Sequence, residues 1–160
     1  GHLGVAYAAE MGFRVAAVSR GTKKREEALE LGADHFVDSR AEDPAQRLAD
    51  LGGARVILAT APNSDAVSAL VGGLGIDGHL LVVAAEEEPG EVSPMELIMG
   101  RKSVSGWPSG DARDSQDTLE FSAARDVRPE IEEFALAEVG EAYDRMMAGD
   151  VRFRSVLRMR

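Results

Sequence analysis

Residues 1–25 read GHLGVAYAAEMGFRVAAVSRGTKKR, and the order of local signals within them decides the fold. Residues 2–11 are small and apolar enough to form a helix. Gly4 and Ala8 stand four apart on one face, which lets that helix lie close against a strand. Gly12 is placed to end it, because glycine enters the left-handed region without the steric cost other residues meet. Residues 13–18, FRVAAV, form a short apolar run that reads as a buried strand. Ser19, Arg20, Gly21, Thr22, Lys23, Lys24 and Arg25 follow as a polar, basic joint. Helix, glycine, strand and charged joint in this order predict a parallel sheet whose crossovers are helices.

The alternation continues outward. Residues 23–31 predict a helix closed by Gly32, and 35–37 a brief strand. Asp43 followed by Pro44 supplies an N-cap and a first-turn proline for a helix to about residue 51. Residues 55–60, RVILAT, are apolar and β-branched and make the most clearly marked strand. Beyond Asn63, the spacing of Val67, Leu70, Val71 and Leu74 predicts one helix with a buried face. Residues 79–84, HLLVVA, are a further strand. Ser93-Pro94-Met95-Glu96 reads as a capping box, and 103–107, SVSGW, as the sixth strand position. A helix to about residue 125, a strand near 131–136 and a helix on which Val139, Ala142, Tyr143 and Met146 share a face come next. Gly149 caps that helix, and 152–158 alternate as a final strand. The fold class predicted is α/β, a doubly wound parallel sheet.

Composition narrows the function. At 160 residues the chain is long enough for one domain with a core, and it contains no cysteine and only three widely spaced histidines, His2, His35 and His79. Thiolate metal ligands are therefore absent, and no histidine metal site is expected. No apolar run reaches the roughly 18 residues of a membrane span, and the first residues lack the basic region of a signal peptide, so a cytoplasmic location is expected and a membrane partner is not. A net charge of −10 argues against nucleic acid. Positive charge is nonetheless concentrated locally, at Arg20, Lys23, Lys24 and Arg25.

Gly1-His2-Leu3-Gly4 has the form of the end of a glycine-rich turn, where unpaired N–H groups and the helix dipole face an anion. This is how a dinucleotide pyrophosphate is held. The strand and first two glycines of such a turn are then expected before residue 1. That leaves the central strand of the usual order, 3-2-1-4-5-6, outside this chain. At the end of the second strand an acidic residue would accept the ribose hydroxyl of NAD. Ser19 stands there instead, followed by Arg20 and Lys24, a set suited to a 2′-phosphate dianion. NADP is expected over NAD. The plainer alternative is a solvated helix start, but cations at a helix N-terminus oppose the dipole unless an anion compensates them.

Gly1-His2-Leu3-Gly4, the SRGTKKREEA run at 19–28, LGAD at 31–34, LATAP at 58–62 and AYDRMMAG at 142–149 together resemble the medium-chain, zinc-dependent alcohol dehydrogenases, especially their cinnamyl-alcohol-dehydrogenase-like branch. The resemblance implies a Rossmann-type coenzyme domain over residues 1–125 and a segment, 126–160, that returns to a catalytic domain. It implies pyrophosphate contacts from Gly1, His2 and Leu3. Ser19, Arg20 and Lys24 match the 2′-phosphate cluster, with Arg20 where plant members carry a second serine. Thr60 and Ala61 match the loop beside the riboses. Val83, Ala84, Ser105, Gly106 and Trp107 match the backbone cradle of the nicotinamide, although Val83 and Trp107 read equally well as core. Arg154 matches an arginine on the pyrophosphate. An alcohol or aldehyde substrate and a homo-oligomer joined edge to edge are also implied.

The family's zinc-ligand segments do not occur here, so zinc is expected only in the catalytic domain, no catalytic residue is assigned, and residues 1–160 alone are not expected to turn over alcohol. Two other readings stay open: a stand-alone nucleotide-binding or oligomerisation module, and a zinc-free quinone or enoyl reductase relative. The capping segment and the SRGTKK loop favour the zinc branch.

Overall fold

The computed structural model describes residues 1–159. Helices and strands alternate as α1 (His2–Glu10), β1 (Ala16–Ser19), α2 (Arg25–Glu30), β2 (His35–Asp38), α3 (Pro44–Asp50), β3 (Ala54–Ala59) and α4 (Ser64–Ala69). A 3-10 turn, Leu70–Gly73, then leads into β4 (Leu74–Val82), α5 (Pro94–Gly100), β5 (Ser103–Gly106) and α6 (Ala112–Arg125). The chain closes with β6 (Ile131–Ala135), a short 3-10 turn, α7 (Val139–Ala148) and β7 (Arg154–Arg158). Every strand pairing is parallel, β1 with β2, β3 with β4 and β4 with β5, and β6 with β7.

The pairs do not merge into one sheet. β1–β2 and β3–β4–β5 are separate among the described residues, and β1 and β3 each have a partner on one side only. Helix α1 touches both. Val5 packs with Val15 and Ala17 against the buried trio Ala28, Ala33 and Phe36. One residue earlier, a Cβ at Gly4 would stand 3.2 Å from Leu58 Cδ2 of β3. On the other flank Gly32, at φ +98°, would bring a Cβ to 2.6 Å from that of Ala9, so only glycine fits there. The larger core joins Ala59, Val71, Leu74 and Leu80. Full burial of each large apolar side chain contributes about 1.5–3 kcal/mol.

Four local expectations are corrected. β1 starts at Ala16, not residue 13, because the N–H of Phe13 bonds the Ala8 carbonyl (3.0 Å) and that of Gly12 the Ala9 carbonyl (2.9 Å) to close α1. Phe13 is consequently exposed. The single helix expected across 64–74 stops at Ala69. Gly73 lets the chain pass so close to α3 that a Cβ would meet Leu48 Cβ at 2.9 Å, and Leu74 already belongs to β4. Val67, Val71 and Leu74 still reach one core, from three different elements.

At α5 only half of a capping box forms. Ser93 Oγ accepts the Glu96 N–H at 3.4 Å, while the Glu96 carboxylate accepts from Lys102 Nζ at 3.2 Å. The complete box lies at α6, between Asp111 and Asp114. On α7 only Ala142 of the expected apolar face is buried; Val139, Tyr143 and Met146 are exposed.

Candidate functional site

Parallel strands bring their C-terminal ends to one edge, and in sheets of this type ligands bind at that edge. Ser19 ends β1 opposite Asp38, which ends β2. The N–H of Ser39 donates to the Ser19 carbonyl at 3.0 Å. The buried Asp38 carboxylate accepts from Gly21 N–H at 2.6 Å and from Arg40 N–H at 2.9 Å. The loop after β1 is thus fixed by the residue that ends β2, through charge-assisted bonds.

The four clustered cations divide into two kinds. Lys23 pairs with Asp150 at 3.0 Å, and the Arg25 guanidinium lies over the Phe36 ring, 4.9 Å from its centroid. Both are engaged by partners within the chain. Arg20 and Lys24 have no ion pair among the described residues, and neither does Arg154, although the chain holds 28 carboxylates. Elsewhere Arg101 pairs with Asp77, Arg145 with Glu132 and Arg152 with Glu27, while Arg14, Arg40, Arg55, Arg113 and Arg125 also form no ion pair among the described residues. Lys24 and Arg154 both lie close enough to the start of α1 to act on it electrostatically. Uncompensated positive charge therefore converges where the helix dipole is also positive.

His2 sits in the first turn of α1, with its Nε2 buried and without a hydrogen-bond partner. Burial, together with the positive charge of Arg154, holds its pKa below the ordinary histidine value. Thr60 lies beside the same helix start: a Cβ at Gly1 would stand 3.5 Å from its Oγ1. An orphaned imidazole nitrogen, a hydroxyl and unpaired cations around a helix N-terminus form a donor set that fits a dinucleotide phosphate. Leu3 follows in the same turn and is half-buried.

The remaining positions lie along the strand ends. Ala61 is exposed just past β3, and its carbonyl accepts the Asn63 N–H at 3.0 Å. Val83 and Trp107 are tied to neighbouring strands by N–H bonds to Ala59 (3.1 Å) and Val82 (2.9 Å), which also fixes Ala84 and Gly106 beside them. Val83 is 40% and Trp107 57% exposed, so their alternative reading as core residues is wrong. Ser105 lies within β5 opposite Leu81. Its hydroxyl meets His79 Nε2 at 2.8 Å, while Ser103 holds Nδ1 of the same ring.

Sequence reasoning missed Asp38 and Arg40. Their signal was an Asp-Ser-Arg run ending a strand that, being parallel to β1, had to finish beside Ser19. No group of three His, Cys, Asp or Glu side chains among the described residues could hold a metal ion, so the residues present do not fit zinc. No helix among them is long and apolar enough to cross a membrane.

The zinc-binding dehydrogenase family matches residues 1–124. An alcohol dehydrogenase of an Aspergillus species is 40% identical over 159 residues, 99% of this chain and 47% of that protein. An NADP-dependent alcohol dehydrogenase C of Mycolicibacterium smegmatis is 36% identical over 98% of this chain and 44% of its own length. Among solved structures, a cinnamyl alcohol dehydrogenase of Sorghum bicolor superposes with a TM-score of 0.86 at 32% identity, covering 98% of this chain and 44% of that one. The chain spans about half the length of the curated relatives it matches. It belongs to the zinc-binding dehydrogenase family and carries the coenzyme-binding domain of its medium-chain alcohol dehydrogenases.

Proposed function

We propose that this chain binds NADP along the C-terminal edge of its strands and serves an enzyme that interconverts alcohols with aldehydes or ketones. One observation carries the reading: Arg20, Lys24 and Arg154 have no ion pair among the described residues and cluster around a helix start and a strand end that carries Ser19 in place of a carboxylate. A carboxylate there would repel a 2′-phosphate, whereas a hydroxyl donates to it. The M. smegmatis relative, by its name, depends on NADP.

When bound, the coenzyme would supply the acceptor or donor of the hydride. This chain's own work is to hold and orient it. The α1 amides at Gly1, His2 and Leu3, with Arg154, take the pyrophosphate. Ser19, Arg20 and Lys24 take the 2′-phosphate, and Thr60 and Ala61 the riboses. The backbone of Val83, Ala84, Ser105, Gly106 and Trp107 walls the nicotinamide. Residues 1–125 form the coenzyme domain in this reading, a further strand lies between β1 and β3, and 126–160 lead back to a catalytic domain. Zinc chemistry is assigned to that domain, and no step through the metal is derived from the residues present. The uncovered edge of β5, exposed along its whole length, is the surface for pairing with a second copy.

Titration of the intact protein with NADPH and NADH tests the reading. Tighter NADPH binding that weakens with added salt supports it. Equal affinities for the two coenzymes would overturn it.

A further inference from the structure

We propose that Arg40, on the loop after β2, is a specificity-determining residue that binds the 2′-phosphate together with Ser19, Arg20 and Lys24. The proposal rests on the NADP reading above and extends its site from one loop to two.

Arg40 reaches across to the neighbouring loop. From where a Cβ of Gly21 would stand, its Nη1 is 3.7 Å away and its Cδ 4.0 Å. Gly21 adopts φ +74°, which favours glycine, so the turn under the guanidinium is bare backbone with no side chain to displace it. The approach is imposed by Asp38, whose Oδ1 accepts from the N–H groups of both Gly21 and Arg40 and clamps the two loops together. Ser39 adds a second tie, through its N–H to the Ser19 carbonyl at 3.0 Å.

No internal partner explains the position of the guanidinium. It is exposed and pairs with no carboxylate among the described residues. Glu42, two residues on, pairs instead with Arg47 at 3.8 Å. The Asp38 oxygen nearest in the chain is already committed to backbone N–H groups. Arg40 therefore presents a planar fork of donors beside Gly21, in the segment that follows Ser19 and Arg20. A phosphate dianion seated there could accept from both arginines, the geometry for which guanidinium is better suited than ammonium.

The test uses the intact protein and two small probes, adenosine 2′,5′-bisphosphate and 5′-AMP, titrated calorimetrically. Wild type should prefer the bisphosphate. Arg40→Ala should weaken bisphosphate binding by about tenfold or more, the scale of a charge-assisted bond. Binding of 5′-AMP should change by less than about twofold, and Arg40→Lys should recover part of the loss. If Arg20→Ala abolishes the preference while Arg40→Ala leaves it intact, Arg40 is only a solvated arginine and the proposal fails while the NADP reading stands. If wild type shows no preference at all, both fail. Equal loss of both probes in Arg40→Ala would mean a collapsed loop and would also overturn the proposal.

Discussion

His2 is stacked on Phe153, with ring centroids 4.5 Å apart and planes 11° from parallel. One ring stands in the first turn of α1 and the other immediately precedes Arg154, so the stack fixes where the C-terminal segment crosses the helix start. Arg152, on the other side of Phe153, pairs with Glu27 of α2 at 3.2 Å. Arg154 is thus held toward α1 by an aromatic contact and an ion pair one and two residues away.

The first prediction concerns this arrangement. Arg154→Ala should weaken coenzyme binding by about ten- to a hundredfold, the value of a charge-assisted hydrogen bond to phosphate. An aromatic stack contributes about 0.5–1.5 kcal/mol, so Phe153→Ala should cost about two- to tenfold and Phe153→Tyr little. Because the ring acts through the arginine, the double variant should bind no worse than Arg154→Ala alone. Strictly additive losses by titration would show that Phe153 does not position Arg154.

The second prediction separates the clustered cations. Arg20→Ala with Lys24→Ala should weaken NADPH selectively and leave NADH almost unchanged. Ser19→Asp should reverse the preference, by repelling the 2′-phosphate and accepting the ribose hydroxyls. Lys23→Ala should alter neither, since its ammonium pairs with Asp150 at an exposed site of small energetic value. Equal loss of both coenzymes in the double variant would reduce the basic loop to a solvated helix start.

The split between Lys23 and Lys24 shows how far the sequence could be read. Element order, parallel crossovers and the end of β1 at Ser19 follow from periodicity and glycine placement, which are local signals. Which lysine is free depends on Asp150, 127 positions away, and no local pattern encodes that. The same limit hid Arg40, which becomes informative only when strand pairing sets Asp38 beside Ser19. It also misplaced the break in the helix after Asn63, where close approach to Leu48 rather than helical spacing decides the backbone. The capping error at Ser93 arose because Lys102, six residues beyond Glu96, competes for its carboxylate.

The third prediction is pH dependence in the C-terminal unit. Glu132 of β6 accepts from the Arg152 N–H at 2.6 Å and from Arg145 of α7, also at 2.6 Å. The Arg152 backbone bond, followed by the Arg145 contact, lowers its pKa. A depressed carboxylate pKa stabilises the fold above the ordinary glutamate value of about 4.3. That contribution fades as pH falls through the ordinary value and then through the lowered one. Glu132→Gln should therefore lower the thermal midpoint near neutrality and converge on wild type at acid pH, which flattens the acid limb. Parallel curves for variant and wild type would rule out this carboxylate as the acid-sensitive tie.

The fourth prediction concerns the two open edges. β1 and β3 are each paired on one side only, and β3 leaves Val56 58% and Leu58 46% exposed. Unpaired strand edges with apolar side chains are unstable and invite pairing with other chains. Because α1 touches Leu58 on one sheet and packs Val5 with Ala17 on the other, it spans the interval where one more parallel strand would satisfy both. In a protein that contributes such a strand, hydrogen exchange at 16–19 and 54–59 should be as slow as at 79–82, which lie between two paired strands. In residues 1–160 alone, the β1 and β3 amides should exchange faster than those of β4, and unfolding should lose cooperativity. Adding the strand as a separate peptide should restore protection at both edges together, since one insertion pairs them simultaneously. If β1 and β3 are already as protected as β4 in the isolated chain, and it unfolds in a single sharp transition, no strand is required between them and the central-strand reading falls.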